Sequence, residues 1–113
     1  MEKKDLLKDT IKHIDIKSYD STQLIDAMRD MSFTSRDTAR AADILLKMVK
    51  EKECTNILTI AGSTSAAGCM QVYVDMVRNK MVDVVVATGA SIIDMDLFEA
   101  LGFKHYKGHQ DVP

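Results

Sequence analysis

Two runs in this chain put glycine and hydroxyl side chains where an apolar strand ends. Gly62-Ser63-Thr64-Ser65 follows the run Ile57 to Ala61, and Thr88-Gly89-Ala90-Ser91 follows Val82 to Ala87. At such a turn the small residues let backbone approach a ligand. The unpaired N–H groups and positive dipole end of the next helix favour phosphate or another anion. Neither run has the G-x-G-x-x-G spacing of a dinucleotide fingerprint, and no lysine follows a glycine as in a P-loop. Taken singly, each reads equally as a strand-to-helix turn with a serine cap. The pair points further, because adjacent βα turns on one sheet edge enclose the crevice in which α/β proteins bind ligands.

Other reactive residues offer less. Asp94 and Asp96 fall at the start of the last predicted helix, two apart, so they do not share a face and make a poor acid/base pair. First-turn carboxylates complement the helix dipole, and either could meet a cationic ligand. His105 and His109 flank Tyr106 without a third ligand at suitable spacing, so no metal site is expected, and His13 is expected at the surface. Cys54 and Cys69 form neither a disulfide framework nor a metal spacing; they read as small buried hydrophobes in a reducing, cytoplasmic compartment.

The elements that must position these groups follow from pattern. Both apolar runs are short, β-branched and nearly continuous, the mark of parallel strands buried on both faces. A helix lies between them, with Ala66, Ala67, Met70, Val74 and Val77 expected on the sheet side and Asp75 elsewhere. The resulting right-handed βαβ unit would open both turns on one carboxyl edge. A last helix, from about 92 to 101, stops at Gly102. Upstream, residues 1–19 predict a short helix with Leu6, Leu7 and Ile11 on one face, then an extended piece at 14–16. Further helices are expected over about 21–31 and 34–51, the latter with Thr38, Ala41, Ala42, Leu45, Met48 and Val49 as one stripe.

With 113 residues, 46% of them hydrophobic and 28% charged, the chain fits one globular α/β domain: a helical part, 1–54, and a βαβα core, 55–106. Two parallel strands leave two open edges. The sheet is therefore expected to be incomplete, the chain being a fragment of a longer protein or one completed by oligomerisation. A net charge of −2 gives no reason to expect nucleic acid. No stretch approaches the ~20 apolar residues of a membrane span.

The segment from Ile57 to Gly108 resembles the deoxyhypusine synthase family, including its archaeal and bacterial deoxyhypusine-synthase-like members. Three strings carry the likeness: Ala61-Gly62-Ser63-Thr64-Ser65-Ala66-Ala67-Gly68; Met81 through Ala90; and Asp96-Leu97-Phe98-Glu99-Ala100-Leu101-Gly102 with His105-Tyr106. Weaker similarity reaches back over residues 34–55. The resemblance implies a Rossmann-like parallel sheet with flanking helices, NAD bound across the carboxyl edge, and a homotetramer. It also implies a reaction. Family enzymes use NAD to oxidise spermidine, carry the aminobutyl group as an imine on a lysine, and pass it to a lysine of a translation factor.

Position by position, the likeness assigns cofactor binding to Gly62, Ser63, Thr64, Ser65 and Ala66 in the first turn and to Thr88, Gly89 and Ala90 in the second. Asp94 falls near an acidic position that holds the polyamine in eukaryotic enzymes. Met95 replaces a second acidic residue there, and the turn is one residue longer. The family's catalytic lysine belongs to a later segment that this chain does not contain, so these 113 residues alone are expected to be inactive. Three other readings stay open: a non-catalytic subunit or paralogue that completes a partner's site, a homospermidine-synthase-like enzyme with a small amine acceptor, and a binding domain for another nucleotide.

Overall fold

In a computed structural model, which describes residues 2–108 and 110, the chain is a mixed α/β structure built on a two-stranded parallel sheet. It contains α1 (Lys3–Leu6), a 3₁₀ turn (Ile16–Ser18), α2 (Thr22–Met28), α3 (Phe33–Lys50), β1 (Ile57–Ile60), α4 (Met70–Arg78), β2 (Val84–Ala87), α5 (Gly89–Ser91) and α6 (Phe98–Ala100). A wide π turn over Ser65–Cys69 leads into α4, and a second one over Ile92–Leu97 joins α5 to α6. Ile57 pairs with Val84 and Ile60 with Ala87, so both strands point their carboxyl ends the same way. Asn56 and Asp83 fix that register where the strands begin: the Asn56 N–H donates to Asp83 Oδ2 at 2.8 Å, and the Asp83 N–H donates to the Asn56 carbonyl at 2.9 Å.

The parallel pair is as expected, but its burial is not. In-register partners share a side of the sheet, so Leu58, Ile60, Val85 and Ala87 face α4, and Ile57, Thr59, Val84 and Val86 face the other way. Ile57 is 57% exposed and Val86 55%, because no described element covers that second face. Among the described residues, Ala39, Ile60 and Met95 are the only buried hydrophobic side chains. The radius of gyration is 17.3 Å, where a compact domain of about this size has roughly 13 Å.

Four further expectations are corrected. Residues 2–19 form only the short helix α1 and the 3₁₀ turn at Ile16–Ser18; residues 10–15 between them are not helical, so Ile11 lies on no helix face. The stripe on α3 is open, with Thr38, Ala41 and Leu45 exposed and Ala42, Met48 and Val49 half-buried, and the helix buries Ala39, outside the stripe, instead. The helix after β1 turns inward by Ser65, Gly68 and Asp75 rather than by its alanines, since Gly68, at φ +111°, breaks the helical period. Cys54 and Cys69 are free and only half-buried.

Candidate functional site

Both turns lie at one rim of the sheet. The chain leaves β1 through Gly62, whose φ of +76° suits glycine at no steric cost, and leaves β2 through Thr88. The Thr88 N–H donates to the Ile60 carbonyl at 3.2 Å, which extends the ladder by one bond beyond the strands. Ser91, 1% exposed, then reaches across: its hydroxyl donates to the Gly62 carbonyl at 3.0 Å and lies 3.2 Å from Thr88 Oγ1. One side chain thus ties the second turn to the first.

The groups presented at this rim are donors. Gly62, Ser63, Thr64, Thr88, Gly89 and Ala90 are exposed, and Ala66 is half-buried. Among the described residues, no acceptor takes the N–H of Gly62, Ser63, Thr64, Gly89 or Ala90. A Cβ built on Gly62 or Gly89 would meet nothing within 4 Å, so the space beside both glycines is open. The Tyr73 hydroxyl donates to Thr64 Oγ1 at 2.8 Å and fixes one wall of the rim. Ser65 is 0% exposed, and its buried hydroxyl has no hydrogen-bond partner. Unpaired backbone N–H groups above a glycine turn, with an unsatisfied hydroxyl beneath, suit an anionic, phosphate-bearing ligand.

Behind the rim, between α4 and the sheet, lies a groove of about 320 Å³, lined in part by Ile60, Val74, Val85 and Asp96. Asp94 lies in the first turn of the Ile92–Leu97 segment, as expected, whereas Asp96 lies beyond that turn, and the helix opens earlier than expected, at Gly89. Asp94 is exposed, whereas Asp96 is half-buried with Oδ1 unpartnered.

His13, expected at the surface, lies with its Nε2 2.6 Å from Glu99 Oε1, while His105 Nε2 lies 3.6 Å from Glu99 Oε2. His109 lies outside the described residues. No cluster of three His, Cys, Asp or Glu that could hold a metal occurs among the described residues. No helix there is long and apolar enough to cross a membrane.

Asp75, placed on the open side by sequence, is buried and receives Lys17 Nζ at 2.8 Å and Gln71 Nε2 at 3.1 Å. The Lys17 hydrogen bond is the main reason its carboxyl stays below the usual carboxylate range, and the same bond raises the Lys17 ammonium. Sequence reasoning missed Ser91 and Gly68 as determinants of the rim. The available signals were a hydroxyl two positions after Gly89 and a glycine inside a helical pattern.

A family model described as deoxyhypusine synthase matches residues 23–113. The deoxyhypusine synthase-like protein of Caulobacter vibrioides is 62% identical over 106 residues, covering 94% of this chain and 29% of that protein. That of Chlorobaculum tepidum is 53% identical over 112 residues, 99% of this chain and 32% of that protein. A protein of Methanosarcina acetivorans named probable deoxyhypusine synthase 2 is 36% identical over 95 residues, 84% and 27% respectively. The chain spans less than a third of the length of these curated relatives.

Proposed function

The chain belongs to the deoxyhypusine synthase family, and we propose that it supplies part of the NAD site of an aminobutyltransferase acting on spermidine and a lysine of a translation factor. Gly62, Ser63, Thr64, Ser65 and Ala66 form one side of the cofactor cradle, and Thr88, Gly89 and Ala90 form the other. The observation that carries this reading is the union of both turns at one carboxyl rim, with their N–H groups unpaired. Such a rim holds a pyrophosphate by backbone donors, and Ser65 adds a hydroxyl within the turn.

Bound NAD would supply the hydride chemistry of the reaction. The residues of this chain orient the dinucleotide and fix its depth. Asp94, exposed on the helix after the second turn, is the carboxylate that would attract an ammonium group of the polyamine. The lysine that takes the aminobutyl group, the acceptor surface and the homotetrameric, cytoplasmic assembly belong to the complete protein, so these 113 residues alone are expected to give no turnover.

Titration of NAD into the full polypeptide that carries this sequence, followed by turnover with spermidine, tests the reading. Saturable binding lost on altering Ser63 and Thr88 together supports it; wild-type protein that ignores NAD removes it. The uncovered sheet face, with Ile57, Val84 and Val86 exposed, favours a second reading as a non-catalytic subunit that covers this face with a partner. Under that reading the pair of chains, and not either alone, binds the cofactor.

A further inference from the structure

We propose that residues 9–18 are a positioning strap that sets the geometry of the first cofactor turn, acting through Gly68. The inference rests on the NAD reading above and adds residues distant from the rim. The strap joins the two helical arms of the core. At its start, the Lys107 N–H donates to the Asp9 carbonyl and the Ile11 N–H to the His105 carbonyl, both at 2.8 Å, and Thr10 bridges Tyr106 in antiparallel fashion. In its middle, His13 meets Glu99 of α6. At its end, Lys17 reaches the buried Asp75 of α4.

Between these anchors the strap grips the π turn. The Ile14 N–H donates to the Gly68 carbonyl at 2.9 Å. A Cβ at Gly68 would stand 3.1 Å from the Lys12 carbonyl oxygen and 3.7 Å from Ile11 Cγ2. Gly68 holds φ at +111°, and the turn it closes includes the Cys69 N–H to Thr64 carbonyl bond at 3.0 Å and the Ala67 N–H to Ser63 carbonyl bond at 2.9 Å. A glycine left unclamped samples positive and negative φ alike, and the wide turn would relax toward a regular helix. Ser63, Thr64 and Ser65 would then lose their fixed directions. Because the strap is pinned to both α4 and α6, it also holds the helices behind the two turns at one separation.

The strap lies before the residues matched by the family model, 23–113, yet inside the span shared with the Caulobacter relative, since a match over 106 of 113 residues must include it.

The test uses the full polypeptide with Lys17→Met, His13→Ala and Lys17→Arg. Both disruptive variants are expected to raise the KM for NAD about tenfold while kcat at saturating NAD holds, and Lys17→Arg restores the wild-type value. Ile25→Ala, in the α2–α3 hairpin, serves as a control: it lowers the melting temperature without moving the KM for NAD. Hydrogen exchange over residues 62–69, read without cofactor, should quicken in both disruptive variants. The strap inference falls if exchange there is unchanged, if the KM stays within about twofold of wild type, or if Ile25→Ala raises it equally. Wild-type protein that fails to bind NAD overturns the cofactor reading instead, and with it the role given to the strap.

Discussion

The Ser91 hydroxyl donates to the Gly62 carbonyl across 3.0 Å, so a side chain from the second turn closes on the backbone of the first. The bond is part-buried, and it couples the spacing of the two turns. Ser91→Ala should cost about 1–2 kcal/mol in denaturant unfolding and weaken NAD binding several-fold. Unchanged affinity with the expected loss of stability would show that the contact holds the fold but not the cradle.

Gly89→Ala separates fold from ligand. Nothing lies within 4 Å of the new Cβ, and Gly89 opens a helix, where alanine is favourable. The melting temperature should hold or rise slightly, while affinity for NAD falls about tenfold because the methyl group occupies the space the pyrophosphate needs. Retained affinity in isothermal titration would place the ligand elsewhere.

The Lys17–Asp75 pair predicts a stability window for the strap. Asp75 is depressed in the folded state, so its contribution is present above the unfolded carboxylate value and is lost as pH falls below about 4. Lys17 is raised, so its contribution is present below the unfolded value of about 10.4 and is lost as pH climbs through the folded one. Exchange of the Ile14 amide should therefore deviate from the intrinsic pH dependence at both ends of the scale. Asp75→Asn should abolish both deviations; their persistence would assign them to another pair.

Val86→Lys tests the uncovered sheet face. Val86 is 55% exposed and stands beside Ile57 and Val84 on an apolar patch. The isolated 113-residue chain should associate at rising concentration and bind a hydrophobic dye, and the substitution should reduce both. In the full polypeptide the same change should instead destabilise by several kcal/mol, because a buried ammonium replaces a packed valine. A neutral effect there would mean that this face stays open to water.

Much of this architecture was legible in sequence. The β-branched runs at Ile57 and Val84 are buried-strand patterns, and a single intervening helix leaves only the parallel pairing observed. The turns at Gly62 and Thr88 then had to share an edge. Burial was not legible, because continuous apolar runs describe the complete sheet rather than the part seen here, and Val84 to Val86 stay open. The strap was misread for a different reason. Residues 9–14 take their conformation from contacts with Gly68, Glu99 and His105, all distant in the chain, and local periodicity carries no trace of such partners. Asp75 looked like a surface residue because its buried setting depends on Lys17, far upstream.

The strap also imposes an order of assembly. His13 and Glu99 are 86 residues apart in sequence, so closing that contact constrains nearly the whole chain at once. On a ribosome, the strap cannot complete its anchorage until α6 has emerged. Residues 9–18 are thus among the last parts of this chain to be fixed, and premature release of the nascent chain leaves the turns at Gly62 and Thr88 without a complete brace.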